Sequence, residues 1–342
     1  MEMKGKRLLA LLTGILMMVS ACPAPAEEAA AVEPLLEALE LPEAKGGQFA
    51  DITVEEDPMI GPHAGNYMKV IDGTKIASGY ADPSITVRIG QGRYKKTNYI
   101  YARIRIADPD QLRFAMAEES LAKDTTTIGS KLAKRVKAVL SINGVLEADY
   151  KFKGPVVRNG EWLRPDPVNP KPSLERWKQE EARDTLVIDT QGDLHILREA
   201  TWGDVIDRIN EMGDEAANAF VFGPALILDG ERQKVDYERG LSTTKPAQRT
   251  ALCQMGELDY LIITSEGPED PGSTGLKLWE FAELLEALGG IQQAYNLDGG
   301  ASSTLNFKKG NSNWGKINCP KNNSERPLRD VIYFADAWIP NK

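Results

Sequence analysis

Two short runs constrain the fold most. Ile85-Thr86-Val87-Arg88-Ile89 and Tyr99-Ile100-Tyr101-Ala102-Arg103-Ile104-Arg105-Ile106 carry period-two patterning, within a stretch (46–106) punctuated by Gly and Pro. Alternation of that period sends successive side chains to opposite faces of an extended strand, so the region reads as meandering β-structure. Helical spacing comes later. Leu278, Phe281, Ala282, Leu285 and Leu288 fall on one helix face, and Gly289-Gly290 supplies a stop. Ser130 is placed to cap a short helix through Lys137, and Thr201 with Asp204 three residues on opens another that runs toward Met212-Gly213. Ala138-Val139-Leu140-Ser141-Ile142 has the length of a buried strand ending on Asn143-Gly144, and Ala219-Phe220-Val221-Phe222 enters Gly223-Pro224. Strands in meanders with three or more interspersed helices, rather than a regular βαβ array, predict an α+β fold: a strongly twisted, largely antiparallel sheet flanked by helices in a single main domain.

The amino-terminal residues read as a targeting segment. Lys4, Lys6 and Arg7 precede an apolar stretch over 8–18 that is too short to span a bilayer comfortably. Two processing readings stand side by side. Val19-Ser20-Ala21-Cys22 resembles a lipoprotein box, which would put a lipid anchor on Cys22, whereas Ala24-Pro25-Ala26 has the small-x-small form of an ordinary cleavage site. Either way the expected location is outside the cytoplasm, free or membrane-anchored. Residues 1–22 are therefore assigned to an export signal, the Ala/Pro/Glu-rich residues 23–45 to a spacer, and 46–342 to the folded body. Between 154 and 183 lie five prolines and two tryptophans, a surface excursion or a flap beside a site.

Composition removes several functions. A formal net charge of −9 argues against a general nucleic-acid or anionic-membrane binder. His63 and His195 are the two histidines, far apart and without neighbouring cysteines, so a histidine-rich zinc site is not expected. Gly-x-Ser-x-Gly is absent, which disfavours a serine hydrolase. Cys253 and Cys319 are read as two separate thiols, although export would permit a disulfide.

Chemistry concentrates in Asn296-Leu297-Asp298-Gly299-Gly300-Ala301-Ser302-Ser303-Thr304, where a short apolar strand delivers an acid, two glycines and three hydroxyls. The glycines let backbone approach a ligand, and the N–H and hydroxyl groups suit an anion. An Asx turn capped by Asp298 is the plainer alternative.

With Asn143-Gly144, Phe222-Gly223-Pro224-Ala225-Leu226, Arg249-Thr250-Ala251, Ser265-Glu266-Gly267, Gly275-Leu276 and Glu325-Arg326-Pro327 in that order, the string resembles the phosphodiester glycosidase family over 125–342. Ala301 stands where the family usually has a third glycine, and Val145-Leu146 where it has Gly-aromatic. The resemblance implies a hydrolase that cleaves a sugar-1-phosphodiester, with a sugar-phosphate or glycan as its partner; no cofactor is expected, and the chemistry requires no metal, although Asp298 with neighbouring oxygens could hold a cation. It implies Asp298 and Glu266 as catalytic carboxyls. Asn143, Gly223, Arg249, Thr250, Gly299, Gly300, Ser302, Ser303, Thr304 and Arg326 would contact substrate.

Each has a structural alternative: Arg249 as a salt-bridged strand-edge residue, Arg326 paired with Glu325, Asn143 ending a strand, Glu266 in solvent. Chemistry makes the set coherent, because an oxocarbenium-like transition state is served by two carboxyls while arginines stabilise the departing phosphate. Two other functions share these residues: a noncatalytic glycan-binding module, and a phosphodiesterase that breaks the P–O bond.

Overall fold

The structure is a computed structural model in which residues 38–51, 60–72, 75–118, 125–145, 155–164, 182–235, 243–308 and 314–342 are described. The expected export signal, most of the expected spacer and most of the 154–183 excursion lie outside the described residues. The spacer's end does not stand free, since Leu39 is buried and the Glu40 carbonyl accepts from Thr86 Oγ1 at 2.9 Å.

The alternating runs form strands Ile85–Tyr94 and Thr97–Ile106, paired antiparallel with Val87 opposite Ile104 and Ile89 opposite Ala102. They belong to a nine-stranded sheet ordered Glu231–Arg232, Ala225–Leu228, Gln293–Leu297, Arg249–Gly256, Asp259–Ser265, Thr97–Ile106, Ile85–Tyr94, Lys75–Asp82, Tyr67–Asp72. A five-stranded sheet runs Trp314–Lys316, Leu305–Lys308, Leu140–Asn143, Asp330–Phe334, Leu112–Met116. Another runs Glu161–Arg164, Val156–Arg158, Ala216–Val221, Arg183–Asp189, Leu194–Ala200. The twisted sheet expected from sequence is thus divided into several, as twisted sheets of many strands tend to split and pack on themselves. The three larger sheets share one core: Val87, Ile104, Leu252 and Tyr260 meet Leu140, Ile142, Phe307 and Ile332, and Leu186 and Phe220 join them. Burial of each such side chain contributes about 1.5–3 kcal/mol, and one continuous apolar cluster makes the body a single α+β unit.

Three α-helices occur among the described residues: α1 (Gly129–Arg135), α2 (Trp202–Met212) and α3 (Leu278–Leu288). In α2 the expected capping box is present, Thr201 and Asp204 exchanging side-chain and backbone hydrogen bonds. Ser130 does not cap α1. It lies inside the first turn, where its N–H and hydroxyl both donate to Glu325. Leu278, Phe281 and Leu285 of α3 pack on Ala251, Leu261, Ile263 and Ala294, the face of the nine-stranded sheet opposite the shared core.

Register decides where chemistry is presented. Arg249 pairs with Ser265, Thr250 with Leu297, and Ser265 with Tyr99. The start of Arg249–Gly256 and the ends of Asp259–Ser265 and Gln293–Leu297 therefore lie at one end of the sheet, and Glu266 and Asp298 are the next residues out.

Candidate active site

Asp298 leaves its strand into a loop fixed from several sides. Its N–H donates to the Gly144 carbonyl at 3.4 Å, and its carbonyl accepts from Asn143 Nδ2 at 2.8 Å. Asn143 Oδ1 accepts from the Thr304 N–H at 3.1 Å, so one buried amide clamps both ends of the glycine-hydroxyl loop. Gly300 N–H donates to the Gln248 carbonyl at 3.0 Å, and a Cβ on Gly299 would stand 2.5 Å from that same oxygen, which explains the glycine. The Asp298 carboxyl accepts from Gly299 N–H at 3.0 Å and from the Ser302 hydroxyl. Ser302 Oγ in turn accepts from Arg326 Nη1 at 3.2 Å, and that nitrogen is 4.0 Å from Asp298 Oδ2. Burial nonetheless dominates and holds the Asp298 carboxyl above its ordinary range, with Ser302, Arg326 and Gly299 pulling the other way.

Glu266 is the second acid, and the more deeply buried of the two. Its N–H donates to Asn98 O at 2.8 Å, and its Oε2 accepts from Cys319 N–H at 2.8 Å. Burial raises its carboxyl to about 7, with Asp270 adding to the rise and the Cys319 N–H and Lys316 opposing it. Near neutral pH such a group exists in both forms and can give or take a proton.

The remaining expected residues divide into supports and surface. Thr250 and Ser303 join their hydroxyls at 2.7 Å within the core, and Ser303 O accepts from Asn318 Nδ2 at 2.8 Å. Gly223 O accepts from Asn296 Nδ2 at 2.8 Å, which ties the Gly223-Pro224 turn to the strand that carries Asp298. Thr304 is buried beneath the loop. Arg249 goes elsewhere. Its Nε donates to Leu276 O at 3.1 Å and its Nη2 to Lys245 O at 2.7 Å, on the α3 side of the sheet, whereas Thr250 and Ser303 occupy the other side. Burial lowers the Arg249 guanidinium to about 10, so it stays charged at neutral pH. The guanidinium brought to Asp298 is that of Arg326, whose side chain is 42% exposed. Glu325 is engaged with Ser130, so it accepts the α1 donors described above.

Sequence reasoning did not single out Gln248, Asn318 or the Cys319 N–H. Asn318-Cys319-Pro320 was readable as a turn, but nothing local shows that its amide would reach Ser303 and Leu305, at 2.8 Å each. Cys253 and Cys319 are free thiols, the first buried behind α3 and the second beside Glu266. Among the described residues, no group of three His, Cys, Asp or Glu side chains could hold a metal ion, and no helix is long and apolar enough to cross a membrane.

One buried and one part-buried carboxyl, presented at the same sheet end by the two strands that flank Arg249–Gly256, with a solvent-reaching arginine beside the second, form a site suited to acid–base work next to an anion. The chain belongs to the phosphodiester glycosidase family, whose profile matches residues 136–335. The catalytic domain of zebrafish N-acetylglucosamine-1-phosphodiester alpha-N-acetylglucosaminidase, auto-inhibited by its pro-peptide, has a similar fold, with a TM-score of 0.55 at 15% identity over 81% of this chain and 95% of that one. A hypothetical protein from Synechocystis aligns with a TM-score of 0.50 at 14% identity, over 78% of this chain and 68% of that one. Among curated proteins, none matches the chain.

Proposed function

We propose that the protein hydrolyses sugar-1-phosphodiesters at the anomeric C1–O bond, releasing free sugar and a phosphomonoester, outside the cytoplasm on cell-surface or exopolysaccharide glycans. Asp298 is the carboxylate at C1, Glu266 the second carboxyl, and Arg326 with Ser302 the donors toward phosphate. The observation that carries this reading is the Asp298–Ser302–Arg326 arrangement, which puts a carboxylate and a cation within one small space. Water adds to C1 and the bond electrons leave with the phosphate oxygen. Because the departing phosphomonoester is already a good leaving group, a guanidinium that stabilises its charge replaces much of the general-acid requirement. Arg249 contributes by holding the loops that carry Lys245 and Leu276 rather than by touching substrate.

Incubation of the mature protein with a panel of sugar-1-phosphodiesters in ¹⁸O-water tests the proposal. Free reducing sugar together with a phosphomonoester free of ¹⁸O supports it, because the sugar's own anomeric oxygen also exchanges with water. Sugar 1-phosphate with ¹⁸O in its phosphate, or free sugar beside an ¹⁸O-labelled phosphomonoester, means P–O cleavage, and glycan binding without turnover means a binding module.

A further inference from the structure

Gln248 lies between the loops of the two acids, and both loops narrow to glycine where they meet it. A Cβ on Gly267, next to Glu266, would stand 2.4 Å from the Gln248 side-chain amide, and one on Gly299, next to Asp298, would stand 2.5 Å from the Gln248 backbone carbonyl. The same carbonyl accepts the Gly300 N–H, and the amide donates to Glu269 Oε2 at 2.8 Å. Across the top, one loop bridges both sides: Cys319 N–H donates to Glu266, Lys321 N–H to Gly300 O at 3.3 Å, and Asn322 N–H to Glu269 Oε1 at 3.2 Å. Gln248 is itself only 2% exposed. A side chain enclosed in this way cannot shorten without letting a loop move or water enter.

We infer that Gln248 is a positioning residue: its backbone carbonyl anchors the Asp298 loop, while its side-chain bulk holds the Glu266 loop at a set distance from that anchor and keeps water away from Glu266. The inference rests on the proposed roles of the two acids, but it has a readout of its own. Glu266 faces Asp270, Lys316, the Cys319 N–H and the Cys319 thiol, with Glu269 beyond Gln248, so water admitted by a shorter residue 248 would solvate its charged form. Preorganised spacing of reacting groups is worth much of a rate, since a displacement of about 1 Å can cost up to roughly 10²-fold.

The test uses the mature chain with ¹³C-labelled glutamate carboxyls, the Glu266 signal being assigned with Glu266→Gln. In the parent protein the signal should titrate near 7. In Gln248→Ala it should titrate about one pH unit lower or more, as renewed solvation favours the carboxylate. Turnover of a sugar-1-phosphodiester should then fall in kcat by about tenfold or more with KM within roughly threefold. Gln248→Met, which refills the volume, should restore both. A folded Gln248→Ala protein with unchanged titration, or a Met variant as altered as the Ala one, overturns the inference. Should Gln248→Ala not fold, Gln248→Asn asks the same question with one methylene removed. If the parent turns over no substrate, the proposed function fails, while the titration still decides the role of Gln248.

Discussion

Asp298 and Arg326 are coupled through a single hydroxyl: Ser302 donates to the carboxyl and accepts from the guanidinium at 3.2 Å, while the direct contact is 4.0 Å. A carboxylate kept that close to a cation without a short ion pair retains free acceptor capacity, and the guanidinium keeps donors for a ligand.

Asp298→Asn should therefore lower kcat by about 10²–10⁴-fold while the thermal midpoint moves little, because the substitution removes charge and almost no volume. Arg326→Ala should cost kcat/KM about 2.7–4 kcal/mol, the range for one preorganised donor to a developing anion. Steady-state kinetics on a confirmed substrate check both. Full activity in Asp298→Asn would remove the proposed mechanism.

Arg249 should behave differently from Arg326. Truncation removes two hydrogen bonds, one to Leu276 O, which keeps the Ala247 N–H at 3.1 Å, and one to the carbonyl of the exposed Lys245, each worth about 0.5–1.5 kcal/mol net. Arg249→Ala is therefore expected to lose about 1–3 kcal/mol of stability by urea denaturation, with activity falling in proportion to the folded fraction. A stable variant with abolished turnover would return Arg249 to the substrate.

The contrast between the two arginines marks where the sequence is legible. Asp298 could be found because an acid, two glycines and three hydroxyls in one string are seldom needed for a turn alone. The α3 stripe and the Thr201 cap were likewise local patterns, and both elements form where their spacing puts them. The direction of Arg249 was not legible. Side chains alternate between sheet faces, and Thr250 facing Ser303 sends Arg249 toward α3; that choice follows from register with Ser265 and Leu297, which are far away in sequence. Gln248 was hidden for the same reason, since its neighbours Gly267, Gly299 and Cys319 come together through pairing alone.

Glu266 should set the alkaline limb of the pH profile. A carboxyl raised to about 7 is protonated below that pH and ionised above it. If its proton assists the leaving oxygen, kcat falls as pH rises through about 7, and Glu266→Gln loses about 10²-fold together with that limb. An alkaline limb that survives unchanged in Glu266→Gln would assign it to another group.

A second buried acid pair lies away from this chemistry and makes a separate prediction about stability. Asp82 Oδ1 accepts from the Ser84 N–H and hydroxyl at 2.7 and 2.6 Å and from Ile85 N–H at 3.0 Å, so Asp82 is well solvated by protein donors. Asp336 is not. Tyr80 has one phenolic proton, 2.7 Å from Asp82 Oδ2 and 3.4 Å from Asp336 Oδ2, and the shorter bond takes it. Burial first, and then Asp82, push the Asp336 carboxyl up to about 8, although Lys308 opposes the rise and His63 Nε2 is 3.6 Å away. A carboxyl that binds its proton more tightly folded than unfolded gives stability that is complete below the unfolded value of about 4 and lost as pH rises toward the folded value. The parent protein should thus weaken between about pH 4 and pH 8, over and above the effect of other groups. Asp336→Asn cannot ionise, and its amide offers a donor where the ionised acid has none. Its urea midpoint should equal or fall slightly below that of the parent at pH 4 and exceed it at pH 8 and above; curves that stay parallel across the range would mean that Asp336 holds no extra proton in the fold.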